Sequence, residues 1–437
     1  MTRAILLRGG RLIDPSERLD QVGDLLLAGG AIAQRGGTIE APADAEIIEC
    51  RGAFVTPGFV DVHTHLREPG REDVETIATG ARAAAAGGFT AICAMPNTDP
   101  VTDNQAAVGF IIRQALRAGG ARVHPIGAIS VGQKGESLAE FGEMVGAGAV
   151  AVSDDGRPVA SAHLMRTALE YAQAFGIPVI DHCEELTLAN GGSMNEGVVS
   201  ARLGLKGIPS EAEEIMVIRD ILLARRAGGH VHLAHMSTRG SVELIRWGKE
   251  RGINVTAEVT PHHLTLTEEA VGGYDTHAKM NPPLRTAADV EALRHAVRDG
   301  TIDVIATDHA PHHYDAKERE FADAPFGIVG LETALALVVT ELVDSGVLDF
   351  PMLVERMATH PAKLFNLPGG TLKVGAPADV TIFDPKREWV VDPTTFLSKG
   401  RNTPYAGRRL RGRAVGTIVA GKVVYRLDPP VPSGRTK

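Results

Sequence analysis

The 437 residues exceed one average compact domain and fall short of three, so one large domain with a smaller companion is expected. With 44% hydrophobic and 23% charged residues the chain reads as globular, and three cysteines are too few for a disulfide scaffold or a four-thiolate zinc site. A net charge of -9 and 4% aromatics argue against nucleic-acid binding, and no apolar run is long enough for a secretory core or a membrane span, so a cytoplasmic protein is expected.

From the N-terminus, short strands are predicted at 4–7, 24–27 and 32–33, separated by glycine turns. Runs rich in Val, Ile and Ala then recur at 59–65, 91–97, 123–130, 149–155, 178–182, 231–235, 254–262 and 303–308. Helical stretches at 74–86, 105–118, 163–175, 211–227, 241–251 and 288–298 lie between most of them, and glycine follows several where a helix C-cap wants it. Strand–helix alternation with eight strand candidates predicts an α/β fold, a (β/α)8 TIM barrel. Strands return at 379–383, 415–419 and 422–425. The simplest account is a barrel over 56–366 with a small β-sandwich domain formed by the N- and C-terminal segments, 1–55 and 367–437. Two separate tails packed on the barrel are the alternative, which periodicity does not exclude.

Most strand candidates end in polar residues, the end at which barrel enzymes keep their chemistry. His63 and His65, two apart on a strand, point to one face and can grip one metal. His182, His235 and Asp308 each end a later strand, and imidazole with carboxylate suits zinc. Alternation along 150–155 sends Asp155 inward and leaves Asp154 a turn or hydrogen-bonding residue. His230 and His232 lie nearer the strand start, and structural hydrogen bonds are expected there. His262 and His263 are expected to support the site or make structural hydrogen bonds, and Asp61 to orient the histidine pair.

These motifs, with Pro57-Gly58-Phe59-Val60-Asp61 before the histidine pair and Ala376-Pro377-Ala378-Asp379 near the end, resemble the amidohydrolase superfamily. Within it the chain resembles a type I dihydroorotase. The narrowing residues are Leu66-Arg67-Glu68-Pro69-Gly70, Met95-Pro96-Asn97-Thr98, Ser153-Asp154-Asp155-Gly156, Asn281-Pro282-Pro283-Leu284-Arg285, Thr307-Asp308-His309-Ala310-Pro311-His312 and Pro325-Phe326-Gly327-Ile328. The match runs to about residue 425. The resemblance implies reversible cyclisation of N-carbamoyl-L-aspartate to (S)-dihydroorotate in pyrimidine synthesis, with two zinc sites, the second open to partial occupancy. It implies His63, His65 and Asp308 on the first ion, His182 and His235 on the second, and Asp155 between them. Asp155 stands where many relatives carry a carboxylated lysine, which fits type I enzymes and counts against hydantoinase-like ones. Asp308 would also move the proton.

An acidic substrate in an acidic protein needs local positive charge, and Arg67, two residues past His65, is placed to grip a carboxylate. Asn97 and His312 would help hold that group, while Asn281 and the Phe326–Gly327 backbone would contact the pyrimidine ring. The plainer roles are an ion pair of Arg67 with Glu68 or Glu72, and turns at Asn97 and Asn281. Residues 311–326, charged and lying between site motifs, are expected to be mobile. Rival readings are another cyclic amidohydrolase, such as an allantoinase or dihydropyrimidinase, or an inactive partner of aspartate carbamoyltransferase. A homodimer is expected, with association to that transferase open even for an active enzyme.

Overall fold

A computed structural model describes residues 3–427. The eight barrel strands are β1 (Phe59–Thr64), β2 (Phe89–Ala94), β3 (Arg122–Pro125), β4 (Val152–Ser153), β5 (Val179–Asp181), β6 (Val231–Leu233), β7 (Val255–Val259) and β8 (Val304–Ile305). All pair in parallel, β1 to β3 in one sheet and β4 to β8 in another. Parallel bridges Gly127–Val152 and Thr64–His309 close the ring. The strands are shorter than the apolar runs, because each run continues into the loop that carries its polar end.

Six helices fall on the predicted stretches, α1 (Ile77–Gly87), α2 (Gln105–Ala118), α4 (Ala162–Gln173), α5 (Glu211–Ala227), α6 (Arg239–Glu250) and α7 (Ala287–Asp299), and the short α3 (Phe141–Ala147) adds one that was not predicted. Local chemistry sets their ends. Asn104 accepts from the main-chain N–H of Ala106 and Ala107 to start α2, and Gly119, at φ 69°, ends it in the left-handed conformation glycine adopts without penalty. A strand–helix core joins Ile92, Val123, Val152, Val179 and Val231 to helix residues such as Ala81, Met165 and Ile221. Strand residues of opposite parity (Cys93, Ala151, Ile180 and Ala306 among them) form a second cluster, as a filled barrel interior requires. Val152 and Ala151 thus divide between layers as alternation predicts.

The terminal strands do not pack as separate tails. Ile5–Asp14, Leu19–Ala28, Ala31–Gly36, Glu46–Glu49 and Phe54–Pro57 share one eight-stranded sheet with Val380–Val390, Arg409–Val419 and Lys422–Arg426. The two ends meet where Phe54–Pro57 pairs antiparallel with Val380–Val390, Val55 opposite Ile382. Leu7, Leu25, Val55, Leu372, Val380 and Ile418 fill the core of this β-sandwich. Thr381 Oγ1 donates to Gly88 O, Thr417 Oγ1 donates to Ala85 O (2.7 Å), and Arg122 pairs with Asp379, tying the sheet to the barrel. The outermost ends of the expected terminal segments, 1–2 and 428–437, lie outside the described residues. Among the described residues no helix is long and apolar enough to cross a membrane.

Candidate metal centre

Four histidines and two aspartates converge at the C-terminal ends of five barrel strands. His63 closes β1 with His65 just beyond it, Asp155 follows β4, His182 follows β5, His235 follows β6 and Asp308 follows β8. All six are buried, none more than 5% exposed. The β1–β2 register is irregular between Asp61 and Thr64, a departure of the kind that re-aims side chains beside active sites. His235 (φ 36°) and Asp308 (φ 46°) hold left-handed backbone, costly for such residues and concentrated at functional sites.

Their atoms face one another as ligands would. Asp155 Oδ1 lies 3.5 Å from His63 Nε2 and 3.6 Å from both His182 Nδ1 and His235 Nε2, and its Oδ2 lies 3.4 Å from His65 Nε2. Asp308 Oδ1 lies 3.0 Å from His65 Nε2 and 3.5 Å from His63 Nε2. Two donors about 2.0–2.1 Å from one tetrahedral ion stand about 3.3 Å apart, and these spacings bracket that value. His63 Nε2 and Asp155 Oδ1 are buried without a hydrogen-bond partner. A buried polar atom left unpaired is costly unless something else satisfies it, and a cation would. The six residues therefore fit a metal.

Electrostatics point the same way. Burial favours the neutral acid at Asp155, yet the surrounding histidines hold its carboxyl well below the usual range. Burial disfavours a charged His182 ring, but Asp155 and Glu184 lift it to about 10. Carboxylates this strongly biased toward the anion, ringed by imidazoles, form a cation-seeking set. A separate buried cluster, Asp181, Cys183 and Asp220, is met by Arg219, whose Nε lies 2.7 Å from Asp220 Oδ1.

The next layer fixes the rings. Asn97 Oδ1 accepts from His65 Nδ1 (2.8 Å), which directs Nε2 at the centre and leaves the Asn97 amide nitrogen free to donate. Glu258, on β7, accepts from His63 Nδ1 at 2.5 Å. Asp61 accepts from the main-chain N–H of His63 (3.2 Å) and Thr307 (3.1 Å), joining β1 to the end of β8. Asp154 accepts from the N–H of Ile129 and Ser130, the hydrogen-bonding role expected of it. His230 and His232 pair with Thr256 Oγ1, and His263 with Thr260 Oγ1 and Pro282 O, as structural hydrogen bonds. Glu258 and Glu184 were not anticipated. An acid at the end of the apolar run Val255, Thr256, Ala257 was the available signal for the first.

Arg67 is half-buried, and among the described residues it has no ion-pair partner. Its Nε donates to Pro311 O (3.3 Å), while Glu68 accepts from Ile77 N and Gln114 Nε2, and Glu72 from Gly70 N. His312 Nε2 donates to Phe326 O (2.7 Å). Asn281 Nδ2 donates to Glu184 Oε1 (3.1 Å) and lies 3.4 Å from His182 Nε2. Gly327, at φ 145°, has no room for a Cβ, which would stand 2.7 Å from His312 Nε2. Its N–H donates to Lys279 O and its carbonyl accepts from Asn402 Nδ2, so the main-chain groups named for ring contact already carry structural bonds. The segment 311–326 is pinned: Lys317 Nζ donates to Thr276 O (3.0 Å) and Pro325 O (2.8 Å), and Lys279 Nζ to Phe321 O (2.7 Å) and Ala322 O (2.8 Å).

Comparison with known proteins gives the family of the chain. A dihydroorotase from Anaeromyxobacter dehalogenans is 55% identical over 430 residues, spanning 98% of this chain and 99% of that one. One from Geotalea daltonii is 54% identical over 424 residues, 97% and 100% of the two chains. The chain belongs to the dihydroorotase family. A family profile described as dihydro-orotase-like matches residues 52–241, and an amidohydrolase profile matches 322–425. Among solved structures, the L-hydantoinase (dihydropyrimidinase) of Arthrobacter aurescens superposes with a TM-score of 0.86 at 28% identity, covering 98% of this chain and 96% of that one. A dihydropyrimidinase from Brevibacillus agri superposes at 0.82 with 23% identity over 97% and 95%, a likeness of fold. Membership of this family of amidohydrolases implies a metal cofactor.

Proposed function

We propose that this dihydroorotase-family protein is a zinc enzyme interconverting N-carbamoyl-L-aspartate and (S)-dihydroorotate, hydrolysing a cyclic amide C–N bond in one direction, for pyrimidine synthesis. The observation that carries the reading is six buried ligand-type residues at ligand spacing, beside an arginine that makes no ion pair among the described residues. His63, His65 and Asp308 would hold one ion and His182 and His235 the other, with Asp155 placed between them. Bound zinc supplies an acidified water and a polarised scissile carbonyl.

The chain's own groups do the rest. An Asp308 carboxylate oxygen takes the water's proton and delivers it to the leaving ring nitrogen, and runs in reverse for closure. Its left-handed backbone keeps that carboxylate at the strand end, over the centre. Arg67 grips the substrate carboxylate with its planar fork, and the Asn97 amide nitrogen donates to the same group. His312 joins them when its Nε2–H turns from Phe326 O to the carboxylate, because burial beside Arg67 keeps the ring neutral with a single N–H to give. Asn281 faces the ring from the Glu184 side.

The barrel over 56–366 would carry this chemistry, with 1–55 and 367–437 as one β domain. The Val55–Ile382 pairing supports that division. A cytoplasmic homodimer, open to association with an aspartate carbamoyltransferase, completes the proposal on family resemblance, and co-elution tests the association. The deciding experiment measures zinc per chain and turnover of dihydroorotate, dihydrouracil, hydantoin and allantoin. Preference for dihydroorotate is expected, and preference for any other sinks the assignment.

A further inference from the structure

Glu258 lies outside the six ligand-type residues, yet it touches the centre at more points than any other residue around it. It sits on β7, fully buried. Its Oε1 accepts from the His63 ring at Nδ1 (2.5 Å) and from the main-chain N–H of His235 (3.3 Å), while Oε2 lies 3.2 Å from His232 Nε2. His232 is held in turn by Thr256 Oγ1 at its other nitrogen (2.8 Å), so every polar atom in the chain Thr256, His232, Glu258, His63 has a partner except His63 Nε2, which faces the centre.

We propose that Glu258 is a positioning residue for both metal sites: one buried carboxylate fixes the His63 ring with its Nε2 lone pair on the ion, anchors the His235 main chain, and is itself oriented by His232. The inference rests on the metal reading above. The physical ground is twofold. An imidazole that donates from one nitrogen presents the other as a ligand, and a charged acceptor makes that nitrogen the stronger ligand. Two divalent ions also carry more positive charge than Asp155 and Asp308 offset, and a third buried carboxylate close by lowers the cost of holding them away from water. His63 and His235 belong to different ion sites, so a single side chain couples their geometries.

The test reads zinc affinity by competition with a chelating dye, and the visible spectrum of the cobalt-substituted protein, in wild type, Glu258→Ala and Glu258→Gln. Loss of the carboxylate is expected to weaken binding about 10- to 100-fold and to perturb the cobalt bands. Glu258→Gln, which can still accept from His63 but carries no charge, is expected to fall between Glu258→Ala and wild type. Folded variants that bind zinc within twofold of wild type overturn the proposal, as does lost turnover with unchanged affinity and spectrum. Should Glu258→Ala fail to fold, Glu258→Gln decides alone: wild-type affinity overturns the proposal, a clear loss supports it. A wild type that shows this dependence but ignores dihydroorotate would overturn only the assignment of activity.

Discussion

Arg67 makes no direct ion pair among the described residues, and the charges that favour it most are the site's own Asp308 and Asp155. Its use is geometric as well as electrostatic, because a lysine keeps the charge and loses the fork. Arg67→Lys is expected to raise KM for dihydroorotate about 10- to 100-fold, the worth of a charged hydrogen bond at roughly 1.5–3 kcal/mol, with zinc content unchanged. An unaltered KM would remove Arg67 from the substrate. Asp308→Asn keeps the shape and removes the proton carrier, so kcat is expected to fall about 10²- to 10⁴-fold even when zinc is resupplied, and near-normal kcat in that variant would reassign the proton. The ligand set was legible because strand-end position selects His235 over His230 and His232, and alternation selects Asp155 over Asp154. Glu258 was not, because a lone acid in an apolar strand shows no partner until the fold brings His63, 195 positions away in sequence, against it. His312 was read as a carboxylate donor, and only the fold reveals that its Nε2 is engaged by Phe326 O.

Helices with regular periods were readable to within about three residues. α2 and α5 fall where hydrophobic spacing and glycine caps put them. The helices after β8 were missed, and the cause is physical. Ala334–Val338 and Phe350–Val354 run into the wider π turns Val339–Val343 and Glu355–Thr359, which break the 3.6-residue repeat. Segment 311–326 was expected to be mobile from its charge, but one charge within it, Lys317, and one outside it, Lys279, serve as pins. Lys317 satisfies the carbonyls of Thr276 and Pro325, which nothing in the local sequence announces. Lys317→Met is expected to leave those carbonyls unpaired at a cost of about 1–3 kcal/mol, to speed proteolysis within 311–326 and to raise KM more than it lowers kcat. Unchanged proteolysis and KM would show that the pins are dispensable.

Across the whole molecule, the sheet and the barrel meet at titratable contacts. Glu332, just before Ala334–Val338, accepts from the N–H of Leu397 (2.8 Å) and Ser398 (3.1 Å), and burial pushes its carboxyl up to about 7. A raised acid binds more protons folded than unfolded, so its contribution to stability is full below the unfolded value and is lost as pH rises through about 7. Glu332→Gln, still able to accept both bonds, is expected to remove that slope and to be more stable than wild type at pH 8 by roughly 1–2 kcal/mol, with little gain at pH 5. Parallel pH–stability curves for the two proteins would exclude Glu332 as the source. The -9 net charge, which set nucleic acid aside, means that an acidic substrate must find its positive charge locally, and Arg67 lies beside the centre to supply it.

The strand Phe54–Pro57 finds its antiparallel neighbour only in Val380–Val390, with an entire barrel's length of chain between them. On the ribosome, at about 5–20 residues per second, that edge waits many seconds for its mate while the barrel condenses behind it. Joining such distant segments is entropically late and slow. The nascent chain therefore emerges with an unpaired β edge next to a finished catalytic half. Synthesis itself thus creates an interval in which that open edge is exposed to pairing with other chains.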